Sequence, residues 1–264
     1  MKTGGGKAVS DTFFTVYRTA RWDTSFSLWG KEHLIWLGIF CVLAVLLLIP
    51  YRRMGDMGRL RTLHALTALL FADELLKHLF LLRLGEEDVD YLPLHLCSVG
   101  LFVCIWYAIR PNRYAGELLF AVSLPGAAVA LLFPGWSVLP PWSFLSIHSF
   151  TFHMLLCLIP LALLVSGELK PHPGRLWFCM LFLVGTAIPV WFLDRRWGTN
   201  FYFLTYPGTG NPLVWFEARF GNPGYQIGLP VCAAILWAVE YGILALARLV
   251  GRIRQKPDGQ GASD

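Results

Sequence analysis

Leu92-Pro93-Leu94-His95-Leu96-Cys97-Ser98-Val99-Gly100 opens an apolar run that continues to Ile109. Read as a membrane helix over 91–109, it decides the fold, because ~20 apolar residues suffice to cross a hydrocarbon core of ~30 Å. It also poses the functional question. A His, a Cys and a Ser at positions 95, 97 and 98 are unusual in such a run. Ionisable groups inside a membrane segment are costly enough to mark functional sites.

Working outward, runs of the same kind lie at 33–50, 60–84, 114–133, 142–165, 175–197 and 225–250. The expected fold class is therefore all-α, a polytopic membrane protein with a bundle of seven transmembrane helices. Composition agrees, since 56% hydrophobic residues, 15% charged residues and a mean hydropathy of +0.54 exceed what a soluble domain of this length needs. Residues 1–30 read as an N-terminal tail and interfacial segment, with Phe13, Trp22, Phe26 and Trp29 interleaved with Arg18, Arg21 and Asp23. Residues 31–250 form the transmembrane domain, and 251–264 are expected to be a disordered cytoplasmic tail. Residues 1–12 have no apolar core and do not read as a cleaved signal peptide. No internal repeat emerges, which argues against a transporter built from inverted repeats.

Loop charges set the expected orientation. Arg52, Arg53, Arg59 and Arg61 follow the first run, Arg110 and Arg113 the third, and Lys170 and Arg175 the fifth, while Arg248, Arg252, Arg254 and Lys256 sit at the end. The loop after the second run is acidic (Glu86, Glu87, Asp88, Asp90). The positive-inside rule then places the N-terminus outside and the C-terminus in the cytoplasm of a bacterial-type plasma membrane. The net charge of +5 belongs to these loops, and no nucleic-acid partner is expected. All six cysteines lie in apolar runs without a CxxC pair, so neither a disulfide framework nor a zinc knuckle is expected.

This orientation gathers polar groups on one side. His33, His78, His95, His148 and His153, five of the seven histidines, fall toward the outer leaflet with Asp73, Glu74 and Asp194. Glu74 and His78 share a helix face, as do Asp73 and Lys77, for which an i,i+4 ion pair is the expected reading. On a continuous helix His95 and Cys97 point nearly opposite ways, whereas His95 and Ser98 share a face. A nucleophilic Cys97 would take its base from His148 or His153, while a small buried hydrophobe is the alternative reading of that cysteine. Glu74 and the histidines are suitable metal ligands, but HExxH and paired Glu-x-x-His motifs are absent and no metal is expected. No phosphate loop or GxSxG elbow occurs, and no cofactor is expected. The aromatic loop 197–207, which contains Asn200, reads either as an interfacial lid or as belt anchoring.

Several of these stretches together resemble one family. Phe26-Ser27…His33, Leu92-Pro93-Leu94-His95-Leu96-Cys97-Ser98, Ser123-Leu124-Pro125-Gly126-Ala127, His148…His153 and Gly198-Thr199-Asn200-Phe201-Tyr202-Phe203-Leu204 occur in the order found in YwaF-like bacterial integral membrane proteins. These are grouped with the eukaryotic transmembrane protein 164. The resemblance implies seven spans and, from the eukaryotic branch, a lipid acyltransferase that moves a fatty acyl chain between phospholipids through a cysteine. Carried over, that cysteine is Cys97, although the eukaryotic branch has His directly after Cys and here the order is His95-Leu96-Cys97. Cys97 would attack the ester, His148 or His153 would move the proton, and Asn200 or Ser98 would help hold the oxyanion. Glu74, His78 and His33 would support the site, and membrane phospholipid would be the partner. A lipid hydrolase is the same chemistry with water as acceptor. The competing expectation is a proton-coupled carrier or a lipid- or small-molecule-binding protein that uses the same His/Glu cavity.

Overall fold

A chain in hydrocarbon must satisfy its backbone N–H and C=O groups within each segment, and the apolar runs are accordingly helical. The computed structural model describes residues 12–208 and 211–254, with no strand among them. The main helices are α1 Lys31–Arg53, α2 Asp56–Leu84, α3 Leu96–Ile109, α4 Arg113–Leu132, α5 Phe144–Val165, α6 Leu176–Trp197, α7 Leu213–Phe220 and α8 Gly228–Arg254. Five of them, α1, α4, α5, α6 and α8, are long and apolar enough to cross a membrane. Helix α2 has 29 residues but carries charges along its length. Helix α3 has 14 residues, ~21 Å at 1.5 Å per residue. The expected tail at 251–264 begins as helix as far as Arg254; its remaining residues, like the first eleven of the N-terminal tail, lie outside the described residues.

Helix α5 is the centre and packs against α1, α2, α3 and α4. Burial separates inner from outer helices: 67% of the apolar window is buried in both α4 and α5, against 11% in α1 and α6 and 6% in α8. The outer three therefore turn most of their apolar side chains toward lipid. Close approach of α3 depends on Gly100, where a Cβ would come within 3.1 Å of Ser123 Oγ and 3.2 Å of Leu156 Cδ2.

Helix α4 contains a π segment at Leu119–Ser123, just before Pro125. Proline has no N–H to give to the carbonyl four residues back, which is that of Ala121. Trp237 Nε1, on α8, donates to Ala121 O at 2.6 Å and takes over that bond. Replacing Trp237 with Phe leaves a carbonyl unpaired in an apolar setting and should destabilise the protein by about 1–3 kcal/mol, read as a lower midpoint of thermal unfolding in detergent.

The helix expected over 91–109 is corrected at its start. Leu92, held extended by the following Pro93 (φ −56°, ψ 146°), leads into a short turn in which Leu94 N donates to Leu92 O at 2.7 Å. The helix begins at Leu96, with His95 as its extended N-cap (φ −65°, ψ 151°). His95 and Cys97 are thus separated by a helix boundary and not by rotation around a helix. The N-terminal segment also does more than lead into α1. Val16 and Phe26 are buried, Phe14 stacks on Phe80, and Phe80 stacks on Phe144, so this segment covers the ends of α2 and α5.

Candidate functional site

Under this cover lies a cluster of ionisable groups between α2 and α5. Positions i, i+3 and i+4 of a helix share a face, and Glu74, Lys77 and His78 occupy them. Lys77 Nζ donates to Glu74 Oε1 at 2.6 Å, and His78 Nε2 is 3.5 Å from the same oxygen. Asp73, one position earlier, faces α5. Its Oδ2 accepts from the Thr151 hydroxyl at 2.9 Å, and its Oδ1 lies 3.4 Å from His148 Nδ1. The expected Asp73–Lys77 pair is therefore replaced by Glu74–Lys77, because the α5 partners claim Asp73.

His148 completes the group. Its Nε2 is 3.6 Å from Glu74 Oε2, so the buried ring sits between two carboxylates. It is hydrogen-bonded to neither, and its buried Nδ1 has no hydrogen-bond partner among the described residues. With Glu87, whose Oε1 accepts from His78 Nδ1–H at 2.7 Å, the cluster holds three carboxylates against one lysine.

One loop closes over it, and a second packs against His95. The 85–95 loop is tied down by Lys77 Nζ, which donates to Tyr91 O at 3.1 Å, and by the His78–Glu87 bond. It is also tied by a two-pronged Arg18–Glu86 pair, which holds the exposed Arg18 guanidinium above its usual range. Burial, and then the neighbouring Asp88, raises the Asp90 carboxyl in the same loop. The second loop, 198–206, hangs from Asp194, whose Oδ1 accepts from Thr199 Oγ1 at 2.7 Å and from Phe201 N at 2.9 Å. Tyr202 and Phe203 both adopt left-handed backbone (φ 56° and 57°), which costs non-glycine residues of order 1–3 kcal/mol each. Tyr225 OH and Gln226 Nε2 fix the bend by donating to Phe203 O and Leu204 O, each at 2.7 Å. The bend delivers Phe201, fully buried, edge-on to His95 with ring centroids 4.8 Å apart.

The remaining expected site residues divide. Cys97 lies in the first turn of α3, partly buried, and among the described residues no hydrogen bond joins it to a histidine. Ser98, buried in the same turn, makes no side-chain hydrogen bond among the described residues. The His95 side chain does not cap α3, and among the described residues no side chain accepts from the N–H groups of its first turn. His153 gives its Nδ1–H to Ser149 O at 2.6 Å and stacks on Trp136. Asn200 is spent on its own loop: Oδ1 accepts from Thr205 N, Thr205 Oγ1 and Tyr206 N, and Nδ2 donates to Tyr206 O. His33 is a joint between elements. Its Nδ1 accepts from Trp29 N at 3.0 Å and its Nε2–H donates to Leu131 O at 2.8 Å. Among the described residues, no group of three His, Cys, Asp or Glu side chains is placed to hold a metal ion.

The sequence reading passes over Glu117, although its signal is the one that marks Asp73 and Glu74, an acid within an apolar run. Fully buried in α4, its carboxylate accepts from Arg175 Nη1 at 2.7 Å, from His172 N at 3.1 Å and from Tyr241 OH.

Fold and site together define a multi-pass helical membrane protein with a buried acid–imidazole cluster between two of its helices. A sequence model of the TMEM164 family matches residues 28–241, and the chain belongs to that family. No curated protein and no solved structure shows a match.

Proposed function

We propose that the protein is an integral-membrane acyltransferase that moves a fatty acyl chain between glycerophospholipids, with Cys97 as nucleophile and His148 as its acid–base group. The observation that carries this reading is His148, buried between Asp73 and Glu74 with its Nδ1 unbonded, at the end of the bundle where Cys97 opens α3. The resemblance to the eukaryotic branch supports the choice of substrate and of a cysteine.

The steps follow from the residues. The Cys97 sulfur adds to the ester carbonyl of a phospholipid while its proton passes to His148. With no direct bond between thiol and imidazole, the proton crosses through a water or a substrate oxygen. The uncapped N–H groups of the first turn of α3 and the Ser98 hydroxyl are the donors for the oxyanion. Collapse expels the lysophospholipid, which takes the proton, and leaves an acyl thioester on Cys97. A second lysophospholipid hydroxyl, deprotonated by His148, then attacks the thioester and regenerates the thiol. Asp73 and Glu74 would stabilise the imidazolium formed in each half. In this reading α2 and α3 also cross the bilayer, giving seven spans with the N-terminus outside and the C-terminus in the cytoplasm.

The test uses purified protein and vesicles of two phosphatidylcholines that differ in both acyl chains. Mixed-chain species detected by mass spectrometry support acyl exchange. The carrier reading, favoured by the placing of carboxylates and imidazoles together between two helices, predicts no lipid product and solute uptake driven by a pH gradient.

A further inference from the structure

A second polar site lies at the opposite end of α5, about 26 Å from His148 at 1.5 Å per residue. Here a cavity of about 310 Å³ opens between the start of α4 and the α5–α6 connection. Arg113, Lys170 and Arg175 line it together with Tyr107, Asn112 and Glu168. Two of the three cations, Arg113 and Lys170, have no acid partner among the described residues, and Arg175 is only partly engaged by its own. Lys170 Nζ has no hydrogen-bond or ion-pair partner among the described residues, and its own carbonyl accepts from Arg175 Nη1. Buried Glu117 engages Arg175 through Nη1 alone, which orients the guanidinium and leaves Nε and Nη2 without an acceptor among the described residues. Among the described residues, the polar and ring partners of the Arg113 guanidinium are the hydroxyl and ring of Tyr114. The one carboxylate in the lining, Glu168, accepts through Oε2 from Tyr51 OH and Ser166 Oγ. The Asn112 side chain is spent on capping α4. The lining thus carries a surplus of positive charge over a recess large enough for a phosphoryl group.

We infer that this cavity is a phosphate-binding site, for the phosphodiester headgroup of an anionic phospholipid or for a free phosphorylated solute. Arg175 supplies a pre-oriented fork, which suits a phosphate oxygen pair, and Arg113 and Lys170 supply charge from either side. A basic recess between helix ends at a membrane surface is where anionic headgroups are held. The site is independent of the acyl-transfer reading and needs no turnover to be detected.

Native mass spectrometry of the detergent-purified protein would measure retention of phosphatidylglycerol against phosphatidylcholine, and thermal unfolding would measure stabilisation by inorganic phosphate. Wild type should prefer phosphatidylglycerol, with affinity falling roughly 30-fold in the Arg113→Ala/Lys170→Ala variant. Phosphate that displaces the lipid identifies the headgroup as the ligand. Phosphate that stabilises the protein without any lipid preference identifies a free solute; both outcomes support the site. Absence of both effects in wild type, or a double variant that behaves as wild type, overturns it. Lys170→Gln, a single change at an exposed position, serves the same comparison where the double variant does not fold.

Discussion

Replacing His148 with alanine should lower acyl exchange by about 10²–10⁴-fold, the range that a positioned general acid–base group contributes. The expectation rests on what the ring can still do. His148 Nδ1 is buried and unbonded, and both nitrogens lie within 3.6 Å of a carboxylate oxygen, so the ring can take a proton and have its charge balanced where it stands. His153 differs. Its Nδ1–H is committed to Ser149 O and its face to Trp136, so His153→Ala should cost activity less than His148→Ala does. The comparison is made by initial rates of mixed-chain lipid formation at equal amounts of folded protein. A His153 loss equal to or larger than the His148 loss would move the acid–base role to the deeper histidine.

The largest effect on stability should come from Arg175→Ala. Glu117 is fully buried, and Arg175 is its cationic partner at 2.7 Å. Removing one member of a buried pair leaves an uncompensated charge and costs about 3–5 kcal/mol; here Tyr241 OH and His172 N still bond the carboxylate, which places the loss near the lower end. Removing both charges should restore much of it, because a buried ion pair contributes little over well-packed apolar side chains of similar size. Thermal unfolding should therefore rank Glu117→Leu/Arg175→Met above Arg175→Ala and below wild type, since the double variant leaves Tyr241 OH and His172 N without their acceptor. A single variant as stable as wild type would show that Tyr241 and His172 suffice.

Much of the scaffold was legible from apolar run length, which is the property hydrocarbon selects. The runs at 33–50, 114–133, 142–165, 175–197 and 225–250 correspond to the five helices long and apolar enough to cross a membrane. The start of α3 was not legible from that pattern. Leu92, Leu94 and Leu96 are as apolar as the helix itself, and the boundary is set by Pro93 acting on the residue before it. The cluster was legible as a list, since Glu74, His78 and His148 stand out in apolar surroundings, but its wiring was not. Sequence spacing describes neighbours on one helix, so it favours Asp73–Lys77. The observed partners of Asp73, Thr151 and His148, come from α5 and depend on how two helices dock. Asn200 and His33 show the same limit from the other side. Both are polar residues near the expected cavity, and both have their hydrogen bonds consumed locally, Asn200 by the backbone and side chain of its own loop and His33 by Trp29 N and Leu131 O.

Acyl transfer through Cys97 requires a covalent intermediate, and it can be sought directly. Purified wild-type protein is incubated with a phosphatidylcholine bearing an isotopically labelled chain, quenched in acid, digested and analysed by mass spectrometry. The expected result is the labelled acyl mass on the peptide that contains Cys97, lost on treatment with neutral hydroxylamine as a thioester is. Labelled lipid product formed while the Cys97 peptide stays unmodified, or undiminished exchange by the Cys97→Ala protein, would contradict it.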